Sequence, residues 1–176
     1  HDGQFDLLVS ETMHAALTSE PVVQIMSHLR PFMAAGGIIL PSMMTVRAAV
    51  MRAAEYEHPR GYVSLYDDPQ YFVEPDWKTI VTYRPGDPLD VIEFTLPMPN
   101  AAGEYVVVIN SEVDIGRQHL APYQSLIATP QALRELDANL KIFRVLPDAL
   151  PSRMHVRYGT GDLLEDVQSQ VEVVLQ

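Results

Sequence analysis

Two glutamates nine residues apart, Glu11 and Glu20, stand in a stretch that also holds Ser10, Met13 and His14. Carboxylates that converge on one point can grip a guanidinium through charge-assisted, bidentate hydrogen bonds and aim one of its nitrogens at an incoming group. Such transfers need in-line placement more than a strong base. His14, whose ordinary pKa lies near neutrality, offers a general base in the same stretch, although a lone loop histidine is more commonly just exposed. Glu20 also has a purely structural role open to it, as a first-turn residue stabilised by a helix dipole. Met13 could line the edge of a ligand site, although methionine at such a place is more commonly part of a core.

The elements that must position these residues are legible nearby. Residues 5–10, Phe-Asp-Leu-Leu-Val-Ser, form a short apolar run with little alternation, which predicts a central parallel strand covered on both faces. Residues 37–40 predict a second strand of that kind. Between them Ser19-Glu20-Pro21 reads as a helix start, with serine as cap and proline at the first helical position. Val22, Val23, Met26 and Leu29 then share one face. Pro31 should end or kink the helix, and Gly36-Gly37 should supply a left-handed termination before the second strand. Strand, helix and strand make one right-handed crossover unit, with Glu11 at the carboxyl end of its first strand, the edge where open α/β sheets bind ligands. A central parallel strand needs neighbours on both sides, so further strands are expected upstream of His1.

After Pro41 the pattern becomes antiparallel. Residues 45–56, 61–66, 77–83, 89–96, 105–115, 140–146, 153–158 and 167–175 read as strands separated by Pro, Gly, Asp and Asn. One helix is expected after the Thr129-Pro130 cap, with Leu133 and Leu136 on its inner face. The expected fold class is α+β: a mainly antiparallel β-barrel or β-sandwich, residues 42–176, preceded by a β-α-β remnant of a Rossmann-like sheet, residues 1–41.

Composition narrows the function classes. With 12 Lys plus Arg against 23 Asp plus Glu the net charge is −11, which repels phosphate backbones and argues against a nucleic-acid partner. Neutral or cationic substrates suit it better. The absence of cysteine excludes disulfides, thiolate metal sites and cysteine nucleophiles. The histidines are scattered without metal-ligand spacing, so no metal is expected. No long apolar run predicts a membrane span, and a cytoplasmic location is the default expectation. Asp67, Asp68, Glu74, Asp76, Asp87, Asp90 and Glu93 form an acidic stretch relieved by Lys78 and Arg84, read as hydrated turns in preference to a face for basic peptides. Ser10 lacks the G-x-S-x-G setting of a hydrolase nucleophile.

Residues 5–13, Phe-Asp-Leu-Leu-Val-Ser-Glu-Thr-Met, resemble the fourth strand and following loop of the protein arginine methyltransferases, roughly D-hydrophobic-hydrophobic-hydrophobic-S-E-W-M. In that family a second glutamate follows after nine residues, as Glu20 follows Glu11. Residues 32–41, Phe-Met-Ala-Ala-Gly-Gly-Ile-Ile-Leu-Pro, resemble its L-x-P-G-G-x-x-x-P turn, with Ala35 where proline is usual. Asp76-Trp77-Lys78 is similar to its threonine-histidine-tryptophan loop, with aspartate in place of histidine. Residues 5–41 carry the resemblance, and the remainder agrees in architecture. Thr12, His14 and Ala15 depart from the tryptophan, glycine and tyrosine usual in the loop.

The resemblance implies a class I methyltransferase using S-adenosylmethionine. Glu11 and Glu20 would be catalytic, orienting the acceptor nitrogen. Met13, His14, Asp76 and Trp77 would border the substrate, and Ser10 and Met13 the cofactor. The glycine-rich loop and acidic residue that hold the cofactor in this superfamily would lie before His1, so this chain by itself is expected to bind the cofactor weakly or not at all and to be inactive. A small-molecule acceptor is the alternative to peptide arginine, and a non-catalytic β-sandwich module for binding or assembly is the alternative to an enzyme. A homodimer is left open, because the family's dimerisation arm is not recognisable.

Overall fold

The computed structural model describes residues 4–12, 15–17, 21–57, 75–120, 131–132, 143–145, 153–160 and 171–172. Its backbone is an antiparallel pair, β3 (Met43–Arg52) against β6 (Gly103–Ile115), in which every residue of β3 has a partner, from Met43 opposite Asp114 to Arg52 opposite Tyr105. Strand side chains alternate between faces, and here both faces are apolar. Met44, Val46, Ala48, Val107, Ile109 and Val113 join one buried cluster, while Ala49, Met51, Val106 and Val108 join another. This is why residues 105–109 of β6 form a continuous apolar run.

On the outer side of β3 lies β4 (Lys78–Tyr83). β6 carries on its other side β7 (Gln118–Leu120), β8 (Gln131–Ala132) and β9 (Phe143–Val145). A second antiparallel sheet orders β11 (Val171–Glu172), β10 (Arg153–Gly159) and β5 (Val91–Pro97). β5 alternates strictly, with Ile92, Phe94 and Leu96 buried and Glu93, Thr95 and Pro97 exposed. Its buried face, with Met154 and Val156 of β10, packs into the same cluster as β3 and β6. Among the described residues the sheets stay open and do not close into a barrel, which corrects that half of the expectation.

The β-α-β unit is present: β1 (Phe5–Val9) pairs in parallel with β2 (Met33–Leu40), and α1 (Val22–Leu29) lies between them in sequence. Several details differ from expectation. Pro21 occupies the cap position and makes no side-chain hydrogen bond, and the expected Ser19 cap lies outside the described residues. β2 starts at Met33, directly after the short 3-10 turn that holds Pro31. Gly36 and Gly37 therefore fall inside the strand, where the register slips between Phe5 and Leu7. Gly36 has φ +83°, and a side chain at position 37 would press on the carbonyls of Phe5 and Ala34, so the glycines make a bulge and not a helix cap. β1 is not covered on both faces: Phe5, Leu7 and Val9 are 53%, 56% and 62% exposed, and β2 is its sole strand partner among the described residues. Residues 53–57 form a short helix, α2 (Ala53–Glu57), where 45–56 was expected to be strand throughout. The expected strand at 61–66 lies outside the described residues, as do Leu133 and Leu136 of the helix expected after Pro130, whereas Gln131 and Ala132, where that helix should begin, are strand β8 paired with β6. No described helix is long and apolar enough to cross a membrane.

α1 fastens the two parts of the chain together. Val22, Val23 and Met26 are buried in the cluster shared with β3, β5, β6 and β10. On its other flanks Gln24 Nε2 donates to the Thr160 carbonyl (2.8 Å), and Arg30 Nη1 donates to the Pro85 carbonyl (3.1 Å) and pairs with Asp87 (3.0 Å). The turn reached by Arg30 is held from below, where the Gly86 N–H donates to the Tyr83 hydroxyl. A side chain at Gly86, which has φ +91°, would collide with Arg30.

Two outcomes are expected. Met26→Ala, which empties a fully buried position, should cost about 2–5 kcal/mol in chemical denaturation. Burial, the largest cause, raises the Tyr83 pKa above 10.0. Its neutral form is thus favoured in the fold, and the stability it contributes is intact below about pH 10 and lost as pH rises through the folded-state value. Denaturation midpoints measured from about pH 9 upward should fall less steeply for Tyr83→Phe than for the wild type.

Candidate functional site

The carboxyl end of β1 is built by a short hydroxyl turn. Val9 pairs with Leu40, and the next amide, that of Ser10, donates to the Leu40 carbonyl at 2.9 Å, so strand pairing runs to the turn itself. The Thr12 amide donates to Ser10 Oγ at 3.3 Å and the two hydroxyls are 2.7 Å apart. This closes the backbone around Glu11 and leaves its carboxylate exposed, with no hydrogen bond or ion pair to the described residues. A carboxylate presented in this way has its full accepting capacity available for a donor-rich ligand.

Immediately beyond, the chain dives into the core. Ala16 and Leu17 are fully buried and hold φ values of 58° and 62°. For residues bearing a Cβ that backbone costs roughly 1–2 kcal/mol each, and such strain persists only where the surroundings enforce it. They are enforced by burial in the shared cluster and by a hydrogen bond from the Ala16 amide to Ser111 Oγ of β6, 2.8 Å and buried. Ala16 and Leu17 are therefore pinned to the main sheet. Glu20, Met13 and His14 lie outside the described residues, so the pairing of Glu11 with Glu20 is not described.

Asp76 and Trp77 are placed elsewhere. Trp77 packs with Ala49, Met51, Val106 and Val108, on the face of the β3–β6 pair opposite to the one that receives Ala16 and Leu17. Its indole Nε1 is buried without a partner among the described residues. Asp76 is exposed and lines a cavity of about 400 Å³ beside the distal end of β3. The hairpin register opposes Lys78 to Ala48, far along β3 from the Ser42–Asp114 junction that adjoins the β2 terminus.

A further polar cluster escaped sequence reasoning. His119 Nδ1 lies 2.6 Å from Asp114 Oδ1, its Nε2 is 3.9 Å from Glu112 Oε2, and Glu112 pairs with Arg47 Nη2 at 3.0 Å. Beside it Asn110 is fully buried, with neither amide atom partnered among the described residues. The cluster exists because the two-residue turn Gly116-Arg117, with Gly116 at φ +64°, folds β7 back and opposes His119 to Asp114. The signal available was the Gly116-Arg117 dipeptide, a Gly-X pair of the kind that makes a two-residue hairpin turn. Among the described residues no group of three or more His, Cys, Asp or Glu is arranged to hold a metal ion. Of the acidic stretch, Asp87, in the turn after β4, forms an exposed ion pair with Arg30, and Glu93, within strand β5 and not in a turn, forms one with Arg157 of β10.

Ser111→Ala removes the hydroxyl that accepts from the buried Ala16 amide, and a loss of about 0.5–1.5 kcal/mol in stability, read by urea denaturation, is expected.

No protein-family model matches the sequence, and no curated protein matches it. Solved structures do match in shape. Among them the crystal structure of PRMT6-SAH superposes with a TM-score of 0.54 at 11% sequence identity, over 96% of this chain and 67% of that one. At that identity the likeness is one of fold: a mostly β chain that matches part of a PRMT-like methyltransferase fold.

Proposed function

We propose that this chain is the carboxy-terminal part of an S-adenosylmethionine-dependent methyltransferase. Residues 1–41 close its Rossmann-like domain, and residues 42–176 cover the active site and help to hold the substrate. The observation that carries this is Glu11, an exposed carboxylate without a described partner at the carboxyl end of a parallel strand. That position, in a chain whose fold is similar to that of PRMT6-SAH, is where a guanidinium acceptor would be gripped.

S-adenosylmethionine is the methyl donor implied. The described residues do not themselves make a site for it. The Ser10 and Thr12 hydroxyls are engaged with each other, and no described strand leads through a glycine-rich turn into a helix amino terminus. The part assigned to this chain is acceptor orientation. Glu11 accepts N–H bonds from the acceptor, and the buried anchor at Ala16 fixes where Glu11 stands.

A non-catalytic β-sandwich module is the second reading, favoured by the exposure of Glu11. Calorimetric titration of S-adenosylmethionine into this chain, and into the chain joined to its upstream sequence, separates the two. Heat from the longer protein alone, with methyl transfer to an arginine peptide that drops about 100-fold in Glu11→Gln at unchanged cofactor affinity, is the expected result. Transfer to a small acceptor but not to the peptide would move the substrate class, and no heat from either protein would leave the binding module.

A further inference from the structure

The distal end of the β3–β6 pair lies nine residues along β3 from the junction beside β2, about 30 Å at the usual rise per strand residue. There the cavity of about 400 Å³ opens between the end of β3, the start of β4, the end of β5 and the start of β6. Its volume is within the usual range of small-molecule sites, about 300–1,000 Å³. Met51, Leu96, Met98 and Tyr105 line it with apolar surface, and Arg52 and Lys78 supply cationic groups.

These two cations are unlike Arg30, Arg47 and Arg157, each of which has a carboxylate partner. In a chain of net charge −11, neither Arg52 nor Lys78 forms an ion pair with the described residues. The Arg52 guanidinium is seated 5.5 Å over the Tyr105 ring, its cross-strand neighbour, a cation–π contact that leaves its N–H groups for an acceptor. Gly103 keeps that seat open, since a side chain there would press on Arg52 Nη1 at 3.2 Å. Of the two acids at the same cavity, Glu55 is drawn to the Arg52 backbone amide at 3.3 Å, at the start of α2. Asp76 remains exposed, where its charge opposes an anion but does not neutralise the guanidinium.

We propose that this cavity binds a small amphipathic anion, an apolar chain or ring carrying one carboxylate or phosphate. The apolar body lies on Met51, Leu96 and Met98, and the anionic head is held by Arg52 and Lys78. The site is separate from the β1 edge and independent of the function proposed for it.

Decanoate is the probe, with decyl phosphate to distinguish the headgroups, and decanol and inorganic phosphate as controls lacking charge or tail. Binding to the whole chain is followed by calorimetry and by the methyl signals of isotopically labelled methionine. Saturable decanoate binding is expected to shift Met51 and Met98 and to leave Met26 unmoved. Arg52→Gln and Lys78→Gln should each weaken it about tenfold or more, Arg52→Lys less so, and Asp76→Asn should strengthen it. Unchanged denaturation midpoints in these variants show that the fold is intact. Tighter decyl phosphate binding assigns a phosphate head and tighter decanoate binding a carboxylate head, either within the proposal. Decanol binding as tightly as decanoate, affinity indifferent to both glutamine variants, or no binding of either amphiphile would overturn it.

Discussion

Everything in this molecule hangs on the ten-residue pairing of β3 with β6, because it makes a ribbon with two apolar faces that must both be covered. One face receives α1, the buried segment after Glu11, and the β5–β10 sheet. The other receives Trp77 and Tyr56 around Ala49, Met51, Val106 and Val108. Since side chains alternate, a slip of one residue would exchange the two sets, so the register that builds the core also decides which segment meets which face.

The β-α-β unit is held to the sheets chiefly by apolar burial. Burying a side chain such as Met26 or Val22 is worth roughly 1.5–3 kcal/mol, whereas an exposed ion pair such as Arg30–Asp87 contributes about 0–1 kcal/mol. The pair and the carbonyl bonds around it set orientation instead, locking α1 to the turn after β4 and, through Gln24, to the end of β10. The strained backbone at Ala16 and Leu17 is tolerable for the same reason: both are fully buried, and Ser111 satisfies the Ala16 amide. This anchor lies five residues after Glu11 in the chain.

Polar groups divide along the same ribbon. Near the β6–β7 turn, Glu112 is buried against Arg47 and His119, an arrangement in which attraction between the charges must offset their desolvation. At the opposite end Arg52 and Lys78 stay exposed beside apolar surface and keep their donors for solvent or a ligand. One cluster is closed upon itself and the other is open.

The amino-acid sequence by itself determined the local elements. Alternation placed β5 and β10, the apolar run placed β6, and the 22–29 periodicity placed α1, each to within about two residues, because pleat and helical pitch are properties of neighbouring residues. It also determined that Glu11 stands at the end of a parallel strand. It misassigned the glycine pair at 36–37, since helix cap and strand bulge ask the same backbone freedom of glycine. Only the tertiary structure decided that β1 leaves one face open, that Asp76-Trp77 lies across the sheet from the segment after Glu11, that His119 meets Asp114, and that Arg52 and Lys78 share a cavity. Each of these depends on register and on which faces are paired, and those are settled by burial between segments far apart in the chain.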